Sequence, residues 1–233
     1  VRERTSTIMI RQYLRVVRAI AAKDLLLEAR GKRRANGAAV LALLIVVIFS
    51  FVFVRRVDEQ AVIARGGLWI ALVFATTLAL SRGIAVEDDN AAIEGLMLAP
   101  VDRSAIYLGK VCSSTVFVTA IGWVTLVAVT VFLGTPFEPA LLVQLALVFP
   151  LAAIGFSAAG VLLTALTLNS QVNESLLPVL LVPLVVPVIL AGIELTSLGG
   201  GPFWLSEWFR ILLVYDGTVL VTGWVSFEFV IEA

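Results

Sequence analysis

The chain has 233 residues, of which 60% are hydrophobic and 15% charged, and its mean hydropathy is +1.03. Soluble domains are about half apolar and about a quarter charged, so this composition indicates a membrane-embedded protein and nearly excludes a soluble single-core enzyme. The chain contains no histidine, which removes the commonest general base and the commonest metal ligand. We therefore expect no catalytic residues and no metal site in this chain.

The charges are unevenly distributed, although the formal net charge is zero. Residues 1–34 contain ten Lys or Arg against three acidic residues, and the rest of the chain carries an excess of seven acidic residues. Cytoplasmic segments beside a first membrane span concentrate Lys and Arg, so the asymmetry indicates membrane orientation and not nucleic-acid binding. The sequence predicts a cytoplasmic basic lead at 1–34 and a membrane domain at 35–233.

Apolar residues recur at helical spacing within the basic lead. They form one face of a helix, consisting of Ile10, Leu14, Val17, Ala21 and Leu25. The basic residues at 11, 15, 18 and 23 mark a different face. A helix of this kind lies in the membrane surface with its apolar face inward, so we predict an interfacial amphipathic helix. A solvated basic tail is the alternative. The lead is too long for the first part of a secretory signal, so we expect no such signal.

Six apolar runs are long enough to cross a membrane, which takes about 20 residues of helix. They cover about 36–54, 66–84, 106–133, 140–168 and 175–195, and a sixth begins near Phe209. With a cytoplasmic N-terminus, six spans return the C-terminus to the cytoplasm. The sequence therefore predicts an all-α membrane protein with six transmembrane helices and both termini in the cytoplasm.

Asp216 lies about seven residues into the sixth run. A charged side chain at the centre of the bilayer costs about 2.5–3.5 kcal/mol on insertion scales, so such residues usually face the bundle interior and serve a function. We predict an intramembrane polar site at Asp216. The alternative is an ordinary loop acid that precedes a later sixth span.

Three prolines interrupt the fifth run, at Pro178, Pro183 and Pro187. Each proline removes one backbone hydrogen-bond donor from the helix. The helix is therefore loosened about one turn before each proline, on its N-terminal side. The fifth span is therefore predicted to contain either a hinge or a static kink, and the sequence does not choose between them.

The segment between the second and third runs is acidic although this topology makes it cytoplasmic. Residues 87–103 contain five acids and a single basic residue, Arg103, against the rule that cytoplasmic loops are basic. Ile93, Leu96 and Met97 form an apolar patch at i, i+3, i+4 spacing before Pro100. Such a patch needs the groove of another protein for burial, so we predict a protein contact here. A solvated acidic loop is the alternative.

Several stretches around these features carry a family resemblance. They are Gly67-Leu68-Trp69, Leu80-Ser81-Arg82, Glu87-Asp88, Ile93-Glu94-Gly95-Leu96-Met97-Leu98-Ala99-Pro100, Leu108-Gly109-Lys110, the proline-bearing stretch 176–188 and the opening stretch 23–30. Together they resemble the haem exporter permease subunit of cytochrome c maturation, the CcmB family, whose members are transmembrane subunits of ABC transporters. The resemblance covers about residues 20–195.

The resemblance implies a permease that is driven by a separate ABC ATPase subunit. Its coupling helix between the second and third spans would contain Glu87, Asp88, Ile93, Glu94, Leu96, Met97 and Pro100. Asn173 and Glu174 lie at the cytoplasmic start of the fifth span, where they are either a second ATPase contact or an ordinary polar cap of that span. The chain has no G-x-x-x-x-G-K-[ST] phosphate loop, so it is expected to be no enzyme, with ATP bound and hydrolysed on the partner chain.

The resemblance further implies a second copy of the chain, other haem-handling membrane subunits and a periplasmic haem chaperone, in a bacterial or archaeal-type cytoplasmic membrane. No nucleic-acid partner is expected. Haem would be a transported or handled ligand that partners ligate, because this chain offers no histidine. Two alternatives stay open: an exporter permease for a lipid-linked glycan or a drug, and a non-transporting scaffold whose motion releases a haem-loaded chaperone.

Overall fold

The computed structural model of the protein describes residues 2–31, 33–53, 60–89, 102–135, 137–169 and 176–232. Side chains are described for 11–31, 35–52, 60–81, 102–135, 137–167 and 177–230. All regular elements within these ranges are helical, so the predicted all-α class is confirmed.

The helices follow one another along the chain with short connections. They are α1 (Arg2–Gly31), α2 (Arg33–Phe53), α3 (Gln60–Asp89), α4 (Arg103–Leu133), α5 (Pro139–Asn169), α6 (Leu176–Leu184), α7 (Val186–Ser197), a 3-10 turn (Phe203–Leu205) and α8 (Glu207–Glu232).

Five of these helices are long and apolar enough to cross a membrane, namely α2, α3, α4, α5 and α8. The consecutive helices α6 and α7 make a sixth candidate if they count as one span, bent by 48° at their junction. The apolar runs of the sequence therefore coincide with five straight candidates and one broken one. Helix α8 begins at Glu207, slightly before the expected start near Phe209.

Contacts between helix ends define two ends of the bundle. The side-chain amide of Gln60, at the start of α3, donates to the carbonyl oxygen of Leu133, at the end of α4. Ser50 Oγ, near the end of α2, donates to the carbonyl oxygen of Phe132 at 2.9 Å. We call this the turn end; it also holds the start of α5, the end of α7 and the start of α8. The opposite end, where α4 starts and α3, α5 and α8 finish, carries α1 and is called the α1 end.

Helix α5 is the central helix of the bundle and α2 is peripheral. Within the candidate spans, 67% of the α5 segment is buried against 17% of the α2 segment. Helix α5 has no charged residue from Pro139 to Asn169, as expected for a helix that other helices surround. The main apolar core is formed by α2 through α8 around it.

A second, smaller apolar cluster attaches α1 to the bundle. It consists of Ile20, Ile106, Tyr107, Val111, Ala158, Val161, Ala165 and Phe227. Val17 and Ile20 are buried, whereas Leu14 is 54% exposed, so the face of α1 that packs on the bundle is rotated from the apolar face expected from the sequence. Helix α1 contacts the start of α4. Over its described side chains, the basic lead is therefore a packed helix and not a solvated tail.

Candidate functional site

The predicted coupling residues lie at the end of α3 and beyond it. Glu87 and Asp88 belong to the last turn of α3, and their side chains are outside the described ones. The other coupling residues lie outside the described residues; they are Ile93, Glu94, Leu96, Met97 and Pro100. The second predicted contact, Asn173 and Glu174, also lies outside them.

The chain enters α4 through a capped helix start. Asp102 is the N-cap residue, and its Oδ1 atom accepts a hydrogen bond from the Ser104 backbone N–H at 3.0 Å. A carboxylate in this position satisfies a backbone donor that the helix leaves unpaired and interacts favourably with the helix dipole. Asp102 therefore stabilises the start of α4 at the exit of the predicted coupling segment.

A notch at Gly109 lets α1 approach α4 closely. A Cβ atom on Gly109 would lie 2.9 Å from the Cβ atom of Ile20 and 3.2 Å from the carbonyl oxygen of Val17. Real Cβ atoms do not approach other carbon atoms to that distance, so a larger residue would push the helices apart. This contact explains why Ile20 is buried although the spacing pattern did not include it.

Polar contacts add to the attachment of α1. Glu28 accepts a hydrogen bond from the backbone N–H of Ala35 at 2.8 Å, which joins the end of α1 to α2. Tyr13 Oη lies 2.9 Å from Ser104 Oγ on α4 and accepts a hydrogen bond from Trp224 Nε1 on α8 at 3.0 Å. The sequence analysis missed Tyr13, because one tyrosine in a basic helix gives no signal of a distant partner.

A small cavity lies between α1, α3 and α4. Its volume is about 30 Å³, and it is lined by Asp24, Leu25, Glu28, Ala79, Leu80, Ser113, Ser114 and Phe117. Ser113 Oγ contacts Asp24 Oδ2 at 3.5 Å, and Lys23 forms an ion pair with Asp24 at 3.1 Å. A cavity of this size holds about one water molecule. It is far too small for a macrocyclic ligand.

The proline-bearing fifth span is broken at Val185. Pro183 lies inside α6 and Pro187 at the start of α7, and Pro178 lies near the start of α6. Proline has no N–H, so the backbone carbonyl groups one turn before it lose their helical donor. Tyr215 Oη on α8 donates to the carbonyl oxygen of Leu184 at 2.8 Å. A side chain of the neighbouring helix α8 therefore donates a hydrogen bond to a backbone carbonyl group at the break.

Asp216 lies beside this break, in the helix contact between α5 and α8. It is 5% exposed, and both of its carboxylate oxygens are buried without a hydrogen-bond partner among the described residues. A Cβ atom on Gly155 of α5 would collide with Asp216 Oδ1 and would approach the Val188 side chain of α7 at 3.1 Å. The structure thus places Asp216 inside the bundle, in a space that exists because residue 155 is glycine.

The turn end is held by buried polar side chains, of which the sequence pointed only to Trp69, within the family resemblance. Trp69 Nε1 donates to Thr196 Oγ1 at 2.9 Å, which joins α3 to α7. Gln144 of α5 donates to the carbonyl oxygen of Leu195 at 2.6 Å and accepts from the backbone N–H of Gly200 at 2.8 Å. A glutamine within an otherwise apolar run was a usable signal, because a buried amide needs partners.

The described side chains that come together join helices to one another. In the part of the chain that the structure describes, no group of three or more His, Cys, Asp or Glu residues is placed to hold a metal ion. Asp216 of α8 faces Gly155 of α5. Asp24 and Glu28 of α1 line the small cavity between α1, α3 and α4. What the arrangement offers is a set of contacts that fix helices relative to one another.

Comparisons with known proteins extend over nearly the whole bundle. The family model described as CcmB protein matches residues 15–229, from α1 to the last turns of α8. Heme exporter protein B of Rhodobacter capsulatus is 29% identical over 185 residues, which make up 78% of this chain and 83% of that protein. The family match includes residues 196–229, which lie beyond the stretch of about 20–195 that the sequence resemblance covers.

Proposed function

This chain belongs to the CcmB family, and we propose that it is the membrane permease subunit of an ATP-driven haem exporter that serves cytochrome c maturation. The observation that carries the proposal is the family match over residues 15–229, which includes all six candidate spans and most of α1. The name of the relative, Heme exporter protein B, supports haem as the ligand that is moved or handled.

We propose an orientation with the α1 end in the cytoplasm of a bacterial or archaeal-type cell. The basic lead supports it, because Lys and Arg concentrate on the cytoplasmic side of a first span. Tyr13 of α1 contacts Trp224 near the end of α8, so both ends of the chain approach the same side. Counting α6 and α7 as one broken span gives six spans, in agreement with that arrangement.

The coupling segment at 87–103 is proposed to dock on a separate ABC ATPase subunit, which binds and hydrolyses ATP. Helix α3 supports this geometry: the apolar run of its sequence ends at about residue 84, whereas the helix continues to Asp89. Five further residues extend a helix by about 8 Å, so the end of α3 reaches past the apolar layer toward a cytoplasmic partner. Asn173 and Glu174 are proposed as a second contact at the same end.

The assembly is proposed to contain two copies of this chain, two ATPase chains, other haem-handling membrane subunits and a periplasmic haem chaperone. The filled core supports a haem path that lies between subunits. Trp69 of α3 and Phe149 and Phe156 of α5 are fully buried among the described helices. Close-packed interiors leave few voids larger than a water molecule, and haem is far larger.

The filled core also favours a second candidate function, in which ATP-driven motion releases a haem-loaded chaperone without moving haem through this chain. The two candidates differ in a direct measurement. The purified complex is reconstituted in vesicles, and haem transfer into the lumen is compared with release of the chaperone. Haem in the lumen supports export, and chaperone release without it supports the second candidate.

The coupling proposal predicts the effect of Leu96→Asp. A charge buried without a partner costs about 3–5 kcal/mol, so this variant should release the ATPase or uncouple its hydrolysis from cytochrome c maturation. Co-purification of the ATPase and its hydrolysis rate measure the effect. Leu198→Asp at the turn end is the matched control, because Leu198 is 43% exposed and lies away from the proposed contact. Unchanged binding and hydrolysis in Leu96→Asp would contradict docking and favour a solvated loop.

A further inference from the structure

Three helices meet in one hydrogen-bonded chain at the α1 end. An indole N–H can only donate, so Trp224 Nε1 of α8 donates to Tyr13 Oη of α1. Ser104 Oγ donates its single hydrogen to Asp102 Oδ1 at 2.7 Å, so it accepts from Tyr13 at 2.9 Å. The chain of donors therefore has one direction, from α8 through α1 to the carboxylate that caps α4.

The end of this chain is the exit of the predicted coupling segment. Asp102 is the first described residue after 90–101, and the same oxygen atom that caps α4 accepts from Ser104 Oγ. Hydrogen bonds to a carboxylate are stronger than those between neutral groups, and successive bonds polarise one another. A displacement of Asp102 therefore changes both the start of α4 and the position of the Ser104 hydroxyl that Tyr13 contacts.

Packing holds the other parts of this region in contact but contributes less at Tyr13 itself. Tyr107 of α4 packs on Phe227 of α8 with ring centroids 5.3 Å apart, and both belong to the second apolar cluster. Tyr13 is half-buried and Trp224 is 44% exposed, so neither belongs to that cluster. At Tyr13 the link between α1 and α8 therefore depends on directed hydrogen bonds more than on buried area.

We propose that Tyr13 is a positioning residue that transmits movement of the coupling segment to α8. The inference rests on the proposed docking of the ATPase on residues 87–103. When the ATPase moves that segment, Asp102 moves with it, and the hydrogen-bonded chain carries the displacement through α1 to Trp224. Tyr13 contacts neither substrate nor nucleotide in this role; it acts through the helices that it joins.

The test is Tyr13→Phe in the complete complex, because this change removes one hydroxyl group and keeps the ring. The ATPase should remain bound and should hydrolyse ATP, while matured cytochrome c per ATP hydrolysed falls by at least about threefold, because the two hydrogen bonds of the Tyr13 hydroxyl are lost. Thr130→Val is the matched control. It also removes a hydroxyl, but one that donates at 2.9 Å within its own helix at the turn end.

A double-mutant cycle separates this role from a general loss of stability. Ser104→Ala interrupts the same chain one bond further on and keeps the backbone N–H that Asp102 caps. The double variant should therefore couple no worse than the more affected single variant, because residues in one network are not additive. Normal coupling in Tyr13→Phe, additive losses, or a loss that only follows the yield of complex would each overturn the proposal. A parent complex without bound ATPase would overturn the proposed function together with it.

Discussion

Asp216 is a buried acid in a contact that contains no basic residue. Helix α5 is free of charge from end to end, and on α7 the nearest acid, Glu194, is exposed. Tyr215 is the neighbouring ionisable group on α8, and its hydroxyl is already bonded to the carbonyl oxygen of Leu184. A polar group without a partner lowers the stability of the fold, so its presence favours a role in function.

Replacement of Asp216 should separate stability from activity. Asp216→Leu is expected to insert normally and to resist unfolding at least as well as the parent, because it removes an unpaired buried group. It should weaken assembly or haem-export activity, and Asp216→Asn should be milder because it keeps the shape and part of the hydrogen bonding. Complex yield and export-dependent cytochrome c maturation at matched expression measure both effects, with Glu194→Leu as the control. Parent-like behaviour of both Asp216 variants would contradict the functional role.

The Trp69 side chain packs directly against Gly192 at the turn end. A Cβ atom on Gly192 would lie 2.5 Å from two atoms of the indole ring of Trp69, which is itself fully buried. Phe149 packs on the same indole with ring centroids 5.8 Å apart. The indole has no free space into which it can move, so the close approach of α3 to α7 requires glycine here.

Gly192→Ala should therefore destabilise the protein by about 1–3 kcal/mol, the usual cost of overpacking a well-packed core. The matched control is Gly66→Ala on α3, where an added Cβ atom meets nothing within 4 Å. That variant should be neutral or more stable by up to about 1 kcal/mol, because alanine is the better helix former. Thermal unfolding of the purified variants measures both. Equal midpoint temperatures of unfolding for the two variants would contradict this prediction, because they would mean that α3 and α7 move apart without a loss of stability.

At the scale of elements, the broken span is better explained as a fixed kink than as a free hinge. The junction residue Val185 is fully buried, and Val188 and Ile189 both donate backbone hydrogen bonds to its carbonyl oxygen, at 3.0 and 3.1 Å. The carbonyl of Leu184 is bonded to Tyr215, as described above. Few backbone groups at the break are left to change partners, so we propose that Pro183 and Pro187 set a permanent bend.

The sequence predicted the helical elements well because hydropathy over a run of residues is a local property. It placed the apolar runs and the proline-bearing span correctly, and it kept Asp216 within the last helix. It did not place the break at Val185, because three prolines are compatible with several positions. It also missed the rotation of α1, since that depends on the notch at Gly109 of another helix.

In the candidate site, too, the sequence revealed what depends on local composition and missed what depends on packing between helices. The acidic segment 87–103 was found because its charge departs from a rule about loops, and its role stays a prediction. Tyr13, Ser104 and Trp224 could not be connected from the sequence, because 91 positions separate the first two and 211 separate Tyr13 from Trp224. Contacts between distant positions of a bundle follow from how helices pack, and a single sequence does not contain that information.

At the scale of the whole molecule, the two ends of the bundle predict the topology. Arg103 is the first residue of α4, at the α1 end. Glu138 lies in the connection from α4 to α5, at the turn end. The 31 residues of α4 span about 46 Å, more than the roughly 30 Å of hydrocarbon in a bilayer. The two positions therefore lie on opposite sides of the membrane in the proposed orientation.

Cysteines introduced at 103 and 138, after replacement of Cys112 by serine, should react with an impermeant thiol reagent from opposite sides. Position 103 should be labelled only from the cytoplasmic side, and position 138 only from outside. A cysteine at Trp204, which is 59% exposed at the turn end, is the control and should follow position 138. Labelling of positions 103 and 138 from the same side would exclude the six-span arrangement.

The buried hydrogen bonds of Gln144 and Trp69 join α5 and α3 to α7, so the helices are held together at the turn end. Helix α5 has 31 residues and is bonded at this end through Gln144, so a tilt of about 10° about the turn end moves its other end by about 8 Å. In the proposed coupling, ATP-driven motion is applied at the α1 end and acts over the full length of this helix. In the proposed orientation, the resulting opening is wide toward the cytoplasm and narrow toward the outside.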